Sequence, residues 1–143
     1  MILVDANLLI YAGIAQFPQH EKARAWLEAR LSRRDRVGLP WESLVAFVRV
    51  ATNPRIVLRP VAVSAAWNLV EAWLDAPPVW IPEPTERHRE TLGTLLSLTL
   101  SSGVDVHDAH LAAIALQHGL TVCSADSDFA RFPGLRWDNP LAA

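Results

Sequence analysis

At 143 residues, with 51% hydrophobic and 20% charged side chains, the chain is long enough for one domain with a real core and too short for two ordinary ones. That balance excludes a disordered polyelectrolyte, no apolar run reaches the length that crosses a bilayer, and a net charge of −2 carries no general preference for nucleic acid. A single cysteine, Cys123, excludes an intrachain disulfide and argues against a Cys-based zinc site; the N-terminus lacks the flank and cleavage pattern of a signal peptide, so a cytoplasmic protein is expected.

The chain begins with Ile2-Leu3-Val4, a short apolar run rich in β-branched residues that reads as a buried strand. Asp5 follows at once, and Asn7 stands where a helix N-cap is expected, ahead of the apolar run from Leu8. A short helix over 8–15 ends at Phe17-Pro18-Gln19. Residues 20–34 form an amphipathic helix with Ala23, Trp26, Leu27 and Leu31 on one face. Residues 36–39 are a second strand, closed by Pro40. Trp41 to Thr52 is apolar nearly all round, so burial on most sides is expected. Ile56-Val57-Leu58 is a further apolar run, limited by Pro60. A helix over 64–75 takes Ser64 as its N-cap, and residues 79–81 are a third strand. A helix from Thr85, its N-cap, runs to about Leu100, and Ser101-Ser102-Gly103 is a loop. Asp108 to His118 is a helix stopped by Gly119. Residues 120–124 make a fourth strand containing Cys123, which reads as a small core residue. A turn over 129–132 and a fifth strand over 135–137 follow. Strands separated by helices imply a parallel sheet covered on both faces, an α/β fold in one unit.

Several acids fall at strand exits and helix starts. Asp5 follows the first strand, Glu42 opens the helix after the second, Asp108 opens a later helix, and Asp126 and Asp128 follow the fourth strand. Parallel strands place their exits on one edge of the sheet, where ligands bind in such folds. Each acid alone also suits a cap or turn. Together they would repel one another unless a cation neutralised them. Hard divalent ions such as Mg²⁺ and Mn²⁺ take oxygen ligands, lower the pKa of a bound water and offset charge on a reacting phosphate.

Val4-Asp5-Ala6-Asn7, Glu42 ahead of an apolar helix, Asp108-Ala-His-Leu-Ala-Ala-Ile-Ala115 and Ser124-Ala-Asp-Ser-Asp-Phe129 resemble the motifs of PIN-domain ribonucleases, and most of all the VapC-type toxins of bacterial toxin–antitoxin pairs. The resemblance runs over the whole chain. It implies a single PIN domain over residues 1–143, a three-layer α/β/α sandwich with a five-stranded parallel sheet. It also implies Mg²⁺- or Mn²⁺-dependent endoribonuclease cleavage of structured RNA such as tRNA or rRNA. Asp5, Glu42, Asp108 and Asp126 match the four acids of the family and are the implied catalytic metal ligands. Asp128 matches a further acid nearby, and Asn7 a polar position that helps order the first acid. A homodimer and a VapB-type antitoxin partner are implied as well.

Other residues carry weaker signals. His107 and His110 flank Asp108, but His110 lies two residues further along a helix and points about 200° away, which argues against a His-based zinc site. Arg49, Arg55 and Arg59 follow Glu42 and are candidates for a phosphate-binding rim, and Trp67 and Leu74 for a dimer or antitoxin surface. Two alternatives remain. A phosphoryl-acceptor domain would use Asp5 with a lysine, and the only lysine is Lys22. A catalytically dead binding module of similar fold would lack one of the four acids.

Overall fold

The structure, a computed structural model, describes residues 1–99 and 103–142. In chain order the elements are β1 (Ile2–Val4), α1 (Ala6–Gly13), α2 (His20–Leu31), β2 (Val37–Gly38), α3 (Trp41–Ala51), α4 (Val63–Asp75), β3 (Val79–Trp80), α5 (His88–Thr99), α6 (Val106–His118), β4 (Thr121–Cys123), a 3₁₀ helix (Ser127–Arg131) and β5 (Trp137–Asp138). The five strands form one sheet in the order β3-β2-β1-β4-β5, and every pairing is parallel. The α/β alternation expected from the sequence is therefore present, element for element, among the described residues.

β1 is central because its three residues are apolar and fully enclosed, as a parallel strand covered on both faces requires. Its alternation divides the core. Ile2 and Val4 join Leu8, Leu27, Leu44, Phe47, Val70 and Trp73 from α1 to α4. Leu3 faces the other way and joins Leu95, Ala112, Ile114, Val122 and Phe129, from α5, α6 and beyond. Small alanines along α6 let that helix lie close against the sheet. From β1 the chain first works outward through β2 and β3, then returns to add β4 and β5 on the other side. The switch point between β1 and β4 is where ligands bind in open α/β sheets.

Helix ends depart from the sequence reading in instructive ways. Asp5, not Asn7, caps α1: its Oδ1 accepts from the Ala6 N–H at 2.8 Å. α4 begins at Val63 behind Ala62 with no side-chain cap, so Ser64 lies within the first turn. Thr85 stands upstream of α5, where its hydroxyl accepts from the Arg87 N–H. α6 begins at Val106, because Asp105 caps it by accepting from the His107 N–H at 2.7 Å. Asp108 therefore sits inside the first turn. Gly119 ends α6 at φ 66, the left-handed conformation expected of it. The apolar 56–58 run lies in a turn and bend outside the sheet, and Leu58 is 96% exposed. α3 is not buried all round, since Trp41 and Val45 face outward. The expected helix end at Leu100 and the Ser101-Ser102 loop lie outside the described residues.

Candidate active site

All five strands run parallel, so their C-terminal ends open on one edge, and a cleft of about 810 Å³ lies there. Asp5, Glu42 and Asp108 all line it, together with Trp41, Val45, Arg49, His107 and Leu111. Asp5 arrives from β1, Glu42 from the first turn of α3, and Asp108 from the first turn of α6. The apolar sequence of α3 thus serves two surfaces. Leu44 and Phe47 anchor it in the core, while Val45 and Trp41 form a wall of the cleft.

The loop after β4 supports Asp5 from beside the cleft. Ser124, fully buried, donates its hydroxyl to Asp5 Oδ2 at 2.7 Å. The Ser124 Oγ itself accepts from Asn7 Nδ2 at 3.1 Å and from the Asp126 N–H at 3.0 Å. Asn7 Oδ1 in turn accepts from the Ala125 N–H at 3.2 Å. Asn7 therefore braces the first acid through Ser124 rather than by direct contact. Ser43, also buried, donates to the Val4 carbonyl at 2.7 Å and fixes the start of α3 against the end of β1.

Asp126 and Asp128 do not stand on the cleft wall. Asp126 caps the 3₁₀ helix, its Oδ1 accepting from the Asp128 N–H at 2.9 Å. The Asp128 carboxylate lies 3.7 Å from Arg131 Nε. Both are nevertheless close enough to act on Asp108. Burial first, and then repulsion from Asp5, Asp105, Asp126 and Asp128, pushes the Asp108 carboxyl up to about 7. Burial also raises Asp5. The bonds from Ser124 and Ala6 oppose that shift, and repulsion from Asp126 and Asp105 adds to it. Asp105 was not singled out from the sequence, although an acid three residues before Asp108 at a helix start was a visible cue.

Glu42 has a partner that the sequence did not suggest. Its Oε2 lies 2.5 Å from His110 Nε2. His110, two residues beyond Asp108 on α6, reaches α3 through this bond. Its other nitrogen lies 2.9 Å from His88 Nε2, and the two rings meet edge to face at 90°. Burial and the neighbouring His110 lower the His88 pKa, so the His88 ring favours its neutral form.

The donor set fits a hard divalent cation in its chemistry. It is made of carboxylates, and the repulsion that adds to burial in raising Asp108 is what such a cation removes. The geometry is open: among the described residues, no three Asp, Glu, His or Cys side chains stand close enough to hold an ion. Of the three arginines considered for a rim, Arg49 alone lines the cleft. Trp67 is exposed and stacks on Trp41 with centroids 6.4 Å apart, whereas Leu74 packs toward the core, so the two share no open face. Lys22 donates to the Leu141 carbonyl at 2.9 Å and has no place in the cleft, which removes the phosphoryl-acceptor alternative. Cys123 is buried, its thiol pushed up to about 12 by burial, and serves as core. No helix of the described residues is long and apolar enough to cross a membrane.

Comparison with known proteins gives the chain a family. Ribonuclease VapC37 of Mycobacterium tuberculosis is 44% identical over 142 residues, covering 99% of both chains. Ribonuclease VapC33 of the same species is 38% identical, again over 99% of both. Among solved structures, VapBC-1 from nontypeable Haemophilus influenzae superimposes with a TM-score of 0.73 at 17% identity, covering 99% of this chain and all of that one. VapC20 of Mycobacterium tuberculosis, described as a sarcin–ricin loop cleaving toxin, gives 0.68 at 20% identity over 95% of this chain and 99% of that one. At such identities the solved structures speak for the fold alone. The PIN domain family matches residues 2–135, and with relatives this similar over their full length the chain belongs to that family, among the VapC ribonucleases.

Proposed function

We propose that the chain is a Mg²⁺- or Mn²⁺-dependent endoribonuclease, the toxin of a VapBC-type toxin–antitoxin pair, acting on structured RNA such as tRNA or rRNA. The observation that carries the reading is the convergence of Asp5, Glu42 and Asp108 on one cleft, with Asp108 pushed up to about 7 by burial and, after it, by neighbouring acids. Asp5, Glu42, Asp108 and Asp126 would hold the cation, with Asp128 a further candidate. Bound there, a divalent cation supplies a more acidic water and offsets charge on the phosphate. The protein's own groups do the remainder. Ser124 and Asn7 orient Asp5. Arg49, exposed on the cleft wall, meets a backbone phosphate. Trp41 and Val45 give the substrate an apolar side to lie against. Hydrolysis by water leaves 5′-phosphate and 3′-hydroxyl ends.

Relatives named as ribonucleases, and solved neighbours named as VapBC complexes, support the toxin reading and a VapB-type partner. A homodimer acting in the cytoplasm is the accompanying proposal. The experiment is cleavage of a structured RNA by the purified protein with Mg²⁺, with Mn²⁺ and with EDTA. The expected result is cleavage that EDTA abolishes and that Asp5→Asn and Asp108→Asn remove. Cleavage in EDTA, or full activity in either variant, overturns the reading.

A further inference from the structure

A chain of side chains runs from the loop before α5 to Glu42, and every link in it has one permitted direction. The Thr85 backbone N–H can only donate. It lies 2.8 Å from one terminal atom of Gln117, which is therefore the carbonyl Oε1; the Thr85 hydroxyl donates to the same oxygen, also at 2.8 Å. The other terminal atom of Gln117 is then the amide nitrogen, a donor, and it faces His88 Nδ1 at 2.6 Å. With Nδ1 accepting, the proton of a neutral His88 ring sits on Nε2 and is donated to His110 Nδ1 at 2.9 Å. His110 repeats the pattern: Nδ1 accepts, so the proton sits on Nε2, and Nε2 faces Glu42 Oε2. One backbone amide thus decides the tautomers of two histidines.

We propose that Thr85, Gln117, His88 and His110 form a polarised relay that positions Glu42 in the cleft, with His110 as the positioning residue. The relay presents Glu42 with an N–H rather than a lone pair. It ties down Oε2 and leaves Oε1 as the oxygen offered to a cation. It also joins α3 to α5, which carries His88, and to α6, which carries His110 and Gln117, so that Glu42 keeps its place relative to Asp108 on α6. Outer groups that orient ligands in this way typically change metal affinity about 10- to 100-fold when removed. The proposal rests on reading Glu42 as a cation ligand, and its test separates the two.

The first measurement is the nitrogen spectrum of the histidine rings in the metal-free protein. Both His88 and His110 are expected to carry their proton on Nε2, and Gln117→Glu, which replaces the donor by an acceptor, is expected to bring a proton to His88 Nδ1. The second is Mn²⁺ titration, followed by the signal of the free ion, for variants whose folding is checked by circular dichroism and thermal melting. His110→Ala is expected to bind Mn²⁺ about 10-fold or more weakly, and His110→Gln, which keeps a donor at a similar reach, to restore most of that loss. A His110 proton on Nδ1 overturns the relay, as does unchanged Mn²⁺ affinity in His110→Ala while Glu42→Gln binds weakly. Unchanged affinity in Glu42→Gln as well removes Glu42 from the ligand set and the proposal with it. Should His110→Ala fail to fold, the tautomers and His110→Gln decide the matter.

Discussion

The Ser124 hydroxyl donates to Asp5 Oδ2 at 2.7 Å, joining residues 119 apart in sequence across the switch point of the sheet. Ser124 is fully buried, and its oxygen also accepts from Asn7 and from the Asp126 backbone. Ser124→Ala removes all three bonds and leaves half-buried polar groups of Asp5, Asn7 and Asp126 without that partner, at a cost of about 1–3 kcal/mol. Denaturant unfolding measures that loss. RNA cleavage should fall together with stability, since Asp5 and Asp126 lose a common tether. A variant as stable and as active as the parent refutes the assignment.

The acidity of Asp108 gives the metal-free protein a characteristic pH response. Its folded-state value of about 7 lies above the ordinary 3.8, so between those values the folded chain holds a proton that the unfolded chain releases. The protonated carboxyl is therefore an advantage fully present below pH 3.8 and lost as pH rises through 7. Asp108→Asn in EDTA should melt close to the parent near pH 4 and above it at pH 8. Because Asp108 is partly exposed, solvent screening should hold the gap to about 1–2 kcal/mol. Thermal melts of both proteins across this range check the sign, and a gap that does not grow with pH contradicts it.

Arg49 is the cation that reaches the cleft wall. Arg49→Ala should weaken RNA binding and reduce the steepness of its salt dependence by about 0.7 in log–log slope, the value of one phosphate contact on a single strand. Stability should be unchanged, because the side chain is exposed. Binding measured in EDTA at several salt concentrations separates this role from cleavage.

Gly13 ends α1 where that helix meets α3. A Cβ built there would lie 2.4 Å from Phe47 Cε1 and 2.8 Å from Cζ. Phe47 is one of the largest fully enclosed side chains and packs against Trp73, so it has nowhere free to turn. Gly13→Ala should destabilise the protein by about 1–3 kcal/mol through overpacking. Unfolding by urea tests this, and Gly93→Ala, whose Cβ would meet nothing within 4 Å, is the control.

The sheet and its order of elements were legible because most strands are short, largely apolar runs set between helices. The acids were legible for the same reason: Asp5, Glu42 and Asp126 sit at strand or helix boundaries that the pattern marks. Helix caps were harder. Asn7 and Asp5 are both good capping residues, and the choice fell to Asp5 because Asn7 is held by Ser124 and Ala125, residues more than a hundred positions away. The helix boundary at Asp105 was missed because Val106 and His107 carry no helical pattern of their own. The bond from His110 to Glu42 could not be read at all. Helical spacing says where His110 points, but not that α3 lies in that direction.

The placement of β1 between β2 and β4 has a consequence for how the protein is made. During synthesis the first acid emerges at once, with Glu42 soon after it. Asp108, Ser124 and Asp126 follow only when most of the chain has left the ribosome, and β1 has no neighbour on its β4 side until then. A nascent or interrupted chain carrying β1 to β3 thus holds half of the acid set on a sheet with an open central edge. The cleft closes late, with the docking of α6 and β4, so on the proposed function fragments ending before that point should be inert toward RNA.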